Sequence, residues 1–201
     1  YDKIIPICKK HNITLISDSA HSFGSSFHEY GKTGNIPDMT TFSFHPVKHI
    51  TTGEGGMIVT NNKEYYDLLK TFRSHGISTD YSDRGKHTHC YHMMHLGMNY
   101  RITDIQCALG ITQLKKLDYF IDARKKIAKT YDDKFGEFSE LFKPVTQIHD
   151  NVYHIYVIRL NLDNLKTDRD TIFAAFREEG IGVNVHYMPI YLHPYYIKNV
   201  G

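Results

Sequence analysis

The chain has 201 residues, 41% of them hydrophobic and 23% charged, a balance that supports a packed core and argues against disorder. Lys and Arg number 24 against 22 Asp and Glu, a formal net charge of +2, and the charges are scattered. That distribution excludes the basic stripe of a nucleic-acid-binding surface. Cys8, Cys90 and Cys107 are odd in number, widely spaced and free of any C-x-x-C arrangement, which points to a reducing, cytoplasmic setting. No apolar run reaches the length of a membrane span, and the first residues lack the basic and apolar regions of a secretion signal. The chain opens on Tyr1 and stops at Gly201 after an aromatic stretch, so it reads as an internal fragment of a longer protein.

In chain order, residues 4–11 read as the end of a helix feeding a strand over 13–16, followed by strands over 39–44 and 57–60. Short apolar runs joined by crossovers predict a sheet buried on both faces, hence an α/β fold. Asn62 is placed to cap a helix over 63–73, with Tyr66, Leu69 and Phe72 at helical spacing and Gly76 just beyond its end. Residues 77–98 are irregular and rich in histidine. Thr103 with Gln106 forms a capping box that opens a long helix, whose apolar stripe from Ile105 through Leu109, Leu114, Leu117, Ile121 and Ile127 runs to about residue 135. After Pro144 and a polar connection, 153–161 alternates as a strand, 169–179 reads as a helix capped by Asp168 and closed by Gly180, and 181–187 alternates again. These periods place a domain change between residues 115 and 150: a large-domain portion over 1–115, a connecting helix and linker over 116–150, and part of a small α+β domain over 151–201. No internal repeat or low-complexity tract is present.

The chemistry gathers around Lys48. Ser43-Phe44-His45-Pro46-Val47-Lys48 is followed by Thr51-Thr52-Gly53-Glu54-Gly55-Gly56, placing a lysine between a buried strand and a glycine-rich bend. A lysine nucleophile needs such a fixed, partly desolvated site, and the glycines would let backbone approach a ligand. Asp18 stands at the end of the first strand, where ligand-binding side chains of α/β sheets collect, and a carboxylate there can keep a pyridinium nitrogen protonated. His21 follows three residues later. Ser43 ends the next strand, where a hydroxyl can meet a phosphate. Asn99 and Arg101 precede the capped helix, a position suited to anions. Each of these has an ordinary alternative as a cap, a turn residue or a solvated charge. Their conjunction at neighbouring strand ends points to a cofactor platform.

In this order, Asp18-Ser19-Ala20-His21-Ser22-Phe23-Gly24, Ser43 to Lys48, Thr52-Gly53-Glu54-Gly55-Gly56 and Asn99-Tyr100-Arg101 resemble the motifs of the DegT-type sugar aminotransferases. These belong to the fold-type I pyridoxal 5'-phosphate enzymes, and the likeness runs the length of the chain. It implies a large mixed-sheet domain followed by the start of a small C-terminal domain. Lys48 would form the Schiff base with the cofactor and shuttle protons, Asp18 would pair with the pyridinium nitrogen, His21 would lie near the ring, and Ser43 would bind the phosphate. Asn99 would reach the phosphate of a neighbouring subunit, which implies a homodimer with a shared active site. The stretches from Ile50 to Met57, Ile105 to Leu117 and Val185 to Tyr191 further resemble a subgroup that aminates C4 of a UDP-linked 4-keto-6-deoxy N-acetyl-hexose, with glutamate as donor, toward pseudaminic acid. In that reading His186 and Tyr187 help cover the sugar nucleotide. The family's glycine-rich phosphate loop and ring-stacking aromatic lie outside this sequence, so the resemblance implies a pocket completed elsewhere.

Three other readings are weighed. Zinc at His87, His89, Cys90, His92 and His95 is set aside because all the donors crowd into one loop, without the paired spacing of structural sites, so no metal is expected. Another nucleotide keto sugar, or the dehydration that some relatives run with histidine in place of the lysine, would use the same scaffold; Lys48 favours transamination. A non-catalytic fragment that keeps only the fold is the remaining alternative, which the joint presence of Asp18, Ser43, Lys48 and Asn99 disfavours.

Overall fold

The computed structural model describes residues 1–78, 91–145 and 150–200. The chain divides into two compact units, Tyr1–Asp132 with Thr146–Tyr156, and Asp133–Val145 with Val157–Gly201.

The first unit is built on a three-stranded sheet in the order β1 (Ile16–Asp18), β4 (Met39–Ser43), β5 (Gly56–Val59). β1 and β4 run parallel, with Ile16 opposite Met39 and Asp18 opposite Thr41, whereas β5 returns antiparallel with Gly56 opposite Ser43. Helix α1 (Ile4–His11) enters β1, and a two-stranded ribbon of β2 (Ser26–Phe27) and β3 (Gly31–Lys32) fills the crossover to β4. Asp38 locks the base of the sheet: its Oδ2 accepts the Leu15 amide at 2.7 Å and its carbonyl accepts the Thr60 hydroxyl at 2.6 Å.

Phe42, Phe44 and Ile50 form the buried centre, packed by Phe23, Val59 and Leu117. Phe23 meets Phe42 and Phe44 edge-on, with ring centroids 4.9 and 5.7 Å away, the arrangement that aromatic quadrupoles favour. Burial is uneven, because β4 carries the buried Thr40 and Phe42 while β1 and β5 hold no buried residue. Thr40 and Phe42 lie two apart and share one face, so among the described residues even the central strand is buried on one face only, with Met39, Thr41 and Ser43 part-buried on the other, short of the sheet expected to be covered on both faces.

Helix α2 (Lys63–Phe72) starts where Asn62 Oδ1 accepts the amides of Glu64 and Tyr65, at 2.8 and 3.2 Å. The predicted long helix is two helices, α3 (Asp104–Leu114) and α4 (Leu117–Phe135). They split at Lys115 and Lys116, where Lys116 bonds back three residues to Gln113. Gly110 of α3 lies against Thr52, while α4 lays Ile121 onto Gly24, each glycine admitting a neighbour that a Cβ would meet at under 3 Å.

The second unit holds the end of α4, an antiparallel pair of β6 (Phe142–Pro144) and β7 (Ile158–Leu160), then α5 (Arg169–Glu178) and the short α6 (Pro194–Asn199). Asp168 Oδ1 caps α5 by accepting the Thr171 amide at 2.8 Å. The strand expected over 153–161 shrinks to Ile158–Leu160, because 150–156 is drawn into the first unit. The alternation over 181–187 forms no strand, having no pairing partner among the described residues.

Candidate active site

The turn between β4 and β5 carries Lys48 and is closed at several levels. The Phe44 amide donates to the Gly55 carbonyl at 2.8 Å, and the Phe44 carbonyl accepts the Thr52 amide and the Thr51 hydroxyl, both at 3.0 Å. Lys48 itself sits on a tight turn whose amide donates to the His45 carbonyl at 3.0 Å. Thr52 is buried and donates its hydroxyl to the Glu54 carbonyl at 2.7 Å, and the same carbonyl accepts Gln106 Nε2 at 2.9 Å. Gln106 is also the far half of the α3 capping box with Thr103, so the start of α3 is tied to the lysine turn. The glycines here serve the protein itself. A Cβ on Gly55 would lie 2.3 Å from Thr52 Oγ1 and one on Gly56 would lie 3.0 Å from the Phe42 carbonyl oxygen, while Gly53, at φ +83, faces open space. Only Gly53 fits the expectation of room left for a ligand.

Lys48 is half-buried, and its ammonium has no hydrogen bond or ion pair among the described residues. Asp18 ends β1 on the strand adjoining β4; its Oδ1 accepts the Ala20 amide at 3.1 Å, which leaves Oδ2 without a protein partner among those residues. Ser43 ends β4, and its hydroxyl accepts the His45 amide at 3.4 Å. His21 is exposed, with its ring 4.2 Å from that of His154.

Three residues that the sequence did not single out complete this region. His49 Nε2 is 3.2 Å from the Val152 carbonyl, so Nε2 carries the proton and Nδ1 is the bare nitrogen; that Nδ1 is buried without a partner. Arg124 Nη1 donates to the carbonyls of Tyr153 and His154, at 3.2 and 3.3 Å. His154 lies between His21 and His49, with its own Nδ1 buried and unpartnered among the described residues. Burial, then the positive charge of Arg124, lowers the His49 pKa to about 4. Burial, then the neighbouring His21 and Lys48, does the same for His154, also to about 4. Both rings are therefore neutral at pH 7. His49 was visible as the neighbour of Lys48. His154 was hidden in an alternating run that reads as a strand, and the one signal was Asn151, whose Oδ1 accepts the Tyr153 amide at 3.0 Å and bends the chain where Tyr153 takes φ 47.

Asn99 is exposed on a segment threaded along the C-terminal end of α2: the Phe72 carbonyl accepts the Met98 amide at 2.7 Å and the Arg73 carbonyl accepts the Tyr100 amide at 2.9 Å. Gly97 makes this threading possible, since a Cβ there would lie 2.1 Å from the Gly76 nitrogen. His186 and Tyr187 are exposed in the second unit, on a stretch without regular structure, ring centroids 4.4 Å apart. Of the histidine loop, His87, His89 and Cys90 lie outside the described residues, and His92 and His95 are exposed.

The mixed sheet with its helices is the α/β fold of the fold-type I transferases, with Asp18 at the end of β1 and Lys48 on the turn after β4. Residues 1–201 match the model of the DegT/DnrJ/EryC1/StrS aminotransferase family, and the chain belongs to that family. A Campylobacter jejuni protein named UDP-4-amino-4,6-dideoxy-N-acetyl-beta-L-altrosamine transaminase is 41% identical over all of this chain and 51% of its own length. The structure of Helicobacter pylori PseC, an aminotransferase of pseudaminic acid biosynthesis, superposes with a TM-score of 0.85 at 34% identity, covering 97% of this chain and 51% of that one. An Escherichia coli GDP-4-keto-6-deoxy-D-mannose-3-dehydratase with bound hydrated PLP superposes at 0.77 with 28% identity, over 90% of this chain and 48% of that one. The chain thus spans about half the length of the relatives it matches. No helix among the described residues is long and apolar enough to cross a membrane.

Proposed function

We propose that this chain carries the lysine half of a pyridoxal-phosphate-dependent aminotransferase acting on a nucleotide-linked 4-keto-6-deoxy sugar, with glutamate as amino donor, in the cytoplasm. The observation that carries the reading is Lys48 itself: half-buried, without a partner among the described residues, on a turn pinned at both stems and beside the strand that ends in Asp18. The residues present fit the cofactor, because an amine and a carboxylate oxygen stand uncommitted on neighbouring elements. When bound, pyridoxal phosphate supplies an electron sink for the bond-breaking at the amino carbon.

The chain's own residues do the rest. Lys48 Nζ would act as the general base, taking the proton from the amino-bearing carbon of the donor in one half-reaction and delivering a proton to the former keto carbon of the sugar in the other, a task that suits a fixed and partly desolvated amine. Asp18 Oδ2 holds a proton on a ring nitrogen by charge. Ser43 Oγ, at the end of β4, contributes a donor for a phosphate oxygen. Asn99 serves the neighbouring copy in a homodimer, and His186 with Tyr187 covers the sugar nucleotide. The UDP-linked substrate is supported by the names of the Campylobacter and Helicobacter relatives, and the transamination by a lysine at position 48.

The test is to incubate the complete gene product with glutamate and a panel of UDP-keto sugars and to follow 2-oxoglutarate. Release that depends on the sugar, and vanishes with the visible cofactor band in Lys48→Ala, is the expected result. A band that survives Lys48→Ala would remove Lys48 from its role.

A further inference from the structure

His154 is held more firmly than a connecting residue requires. His49 fixes the Val152 carbonyl, Arg124 fixes the carbonyls of Tyr153 and His154, and Asn151 fixes the Tyr153 amide, so four backbone groups of three consecutive residues are set by three side chains. Val152 beneath them is 1% exposed. One of the clamps, His49, is the chain neighbour of Lys48, which makes this segment part of the wall of the lysine turn.

The clamp presents one ring. His154 stands 4.2 Å from His21 at a tilt of 46° and 5.6 Å from His49 at 52°. A buried imidazole nitrogen without a partner weakens a fold, and a phenyl ring would fill the same space without that cost. Two cations, Lys48 and Arg124, act on the ring together with the His21 and His49 imidazoles. An uncharged ring is what can lie beside Lys48 and Arg124 without repulsion, in keeping with its depressed basicity.

We propose that His154 is a positioning residue that backs the His21 ring and holds it in place for the cofactor ring. The inference rests on the pyridoxal phosphate reading and adds to it a residue from beyond α4, brought to Lys48 by the returning segment. It acts through His21, so its effect on cofactor affinity depends on His21 being present.

The experiment measures pyridoxal phosphate affinity, by titrating the visible band of the complete gene product, in wild type, His154→Ala, His21→Ala and the double variant. His154→Ala is expected to weaken binding about 10-fold in the wild-type background and less than about 2-fold when His21 is already alanine, the signature of coupled residues. His154→Phe keeps a ring in the same space and is expected to stay within about 3-fold of wild type, also covering the case in which His154→Ala fails to fold. Equal losses with and without His21, no loss at all, or a His154→Phe loss as large as that of alanine at an unchanged melting temperature would each overturn the proposal. A wild type that takes no cofactor overturns both readings, whereas binding that needs Lys48 but ignores His154 overturns this one alone.

Discussion

The hydroxyl of Thr52 occupies the space that a side chain on Gly55 would need: a Cβ built there would lie 2.3 Å from Oγ1. Thr52 cannot swing away freely, because it is buried and its hydroxyl donates to the Glu54 carbonyl. Gly55→Ala should therefore displace the turn that carries Lys48, with a stability loss of about 1–3 kcal/mol, the range for an overpacked methyl. Gly136, where a Cβ meets nothing within 4 Å and φ is not positive, is the control. Gly136→Ala should be neutral or stabilising by up to about 1 kcal/mol. Urea unfolding of the two variants checks the contrast.

Much of the platform was legible because its signals are local. The capping box at Thr103 and Gln106, the Asn62 and Asp168 caps, and the strand over 39–43 each depend on a few adjacent residues, and all appear in the structure. The stripe from Ile105 to Ile127 has an unbroken helical period, yet α3 and α4 part at Lys115 and Lys116, where the Lys116 amide turns back to the Gln113 carbonyl. The rest of what was not legible depends on contacts between distant segments. The alternation of Tyr153, His154, Ile155 and Tyr156 has the period of a strand, but Arg124 takes two of its carbonyls and no ladder forms there. His154 was missed for that reason: its role comes from His21, 133 positions away, and no periodicity reports it.

Gln106 should show two separable roles. Its Oε1 accepts the Thr103 amide at 3.0 Å and hydroxyl at 2.9 Å, and its Nε2 donates to the Glu54 carbonyl. Gln106→Glu keeps an acceptor for the capping box and replaces the donor with an oxygen facing a carbonyl. The variant should leave α3 helical by circular dichroism and lower the urea midpoint by the equivalent of about 1 kcal/mol, the worth of one hydrogen bond. Gln106→Ala loses both functions and should cost more, about 2 kcal/mol.

Acid should weaken the fold through His49 and His154. Both are depressed to about 4 in the folded chain, against an ordinary value of 6.5. Between those values the unfolded chain binds protons that the folded chain refuses, so stability is fully present above about pH 6.5 and falls as pH drops toward 4. Allowing for water reaching the half-buried His154, the pair should account for a loss on the order of 2 kcal/mol between pH 7 and 5. Urea unfolding across that range should show the slope, and His154→Phe should flatten it. An equal slope in the variant would mean that the acid sensitivity arises elsewhere.

The shared site of the proposed homodimer makes a quantitative prediction about complementation. Lys48→Ala and Asn99→Ala should each be inactive or nearly so, one lacking the amine and the other a contact supplied to the neighbouring copy. In a mixed dimer, the subunit with an intact Lys48 meets the intact Asn99 of its partner, while the second site lacks both. Random reassembly of equal amounts makes half of the dimers mixed, each with one complete site, so activity should return to about a quarter of wild type. If instead Asn99 serves its own subunit, every site in the mixture lacks one residue or the other and no activity returns. The backbone supports a reach outward: Asn99 is exposed, and Gly97 threads its segment tightly against Gly76 and α2. Gly97→Ala would force that segment off by about 1 Å, the gap between the 2.1 Å approach to the Gly76 nitrogen and ordinary contact, so it should reproduce the Asn99→Ala defect in cofactor affinity even though the asparagine remains.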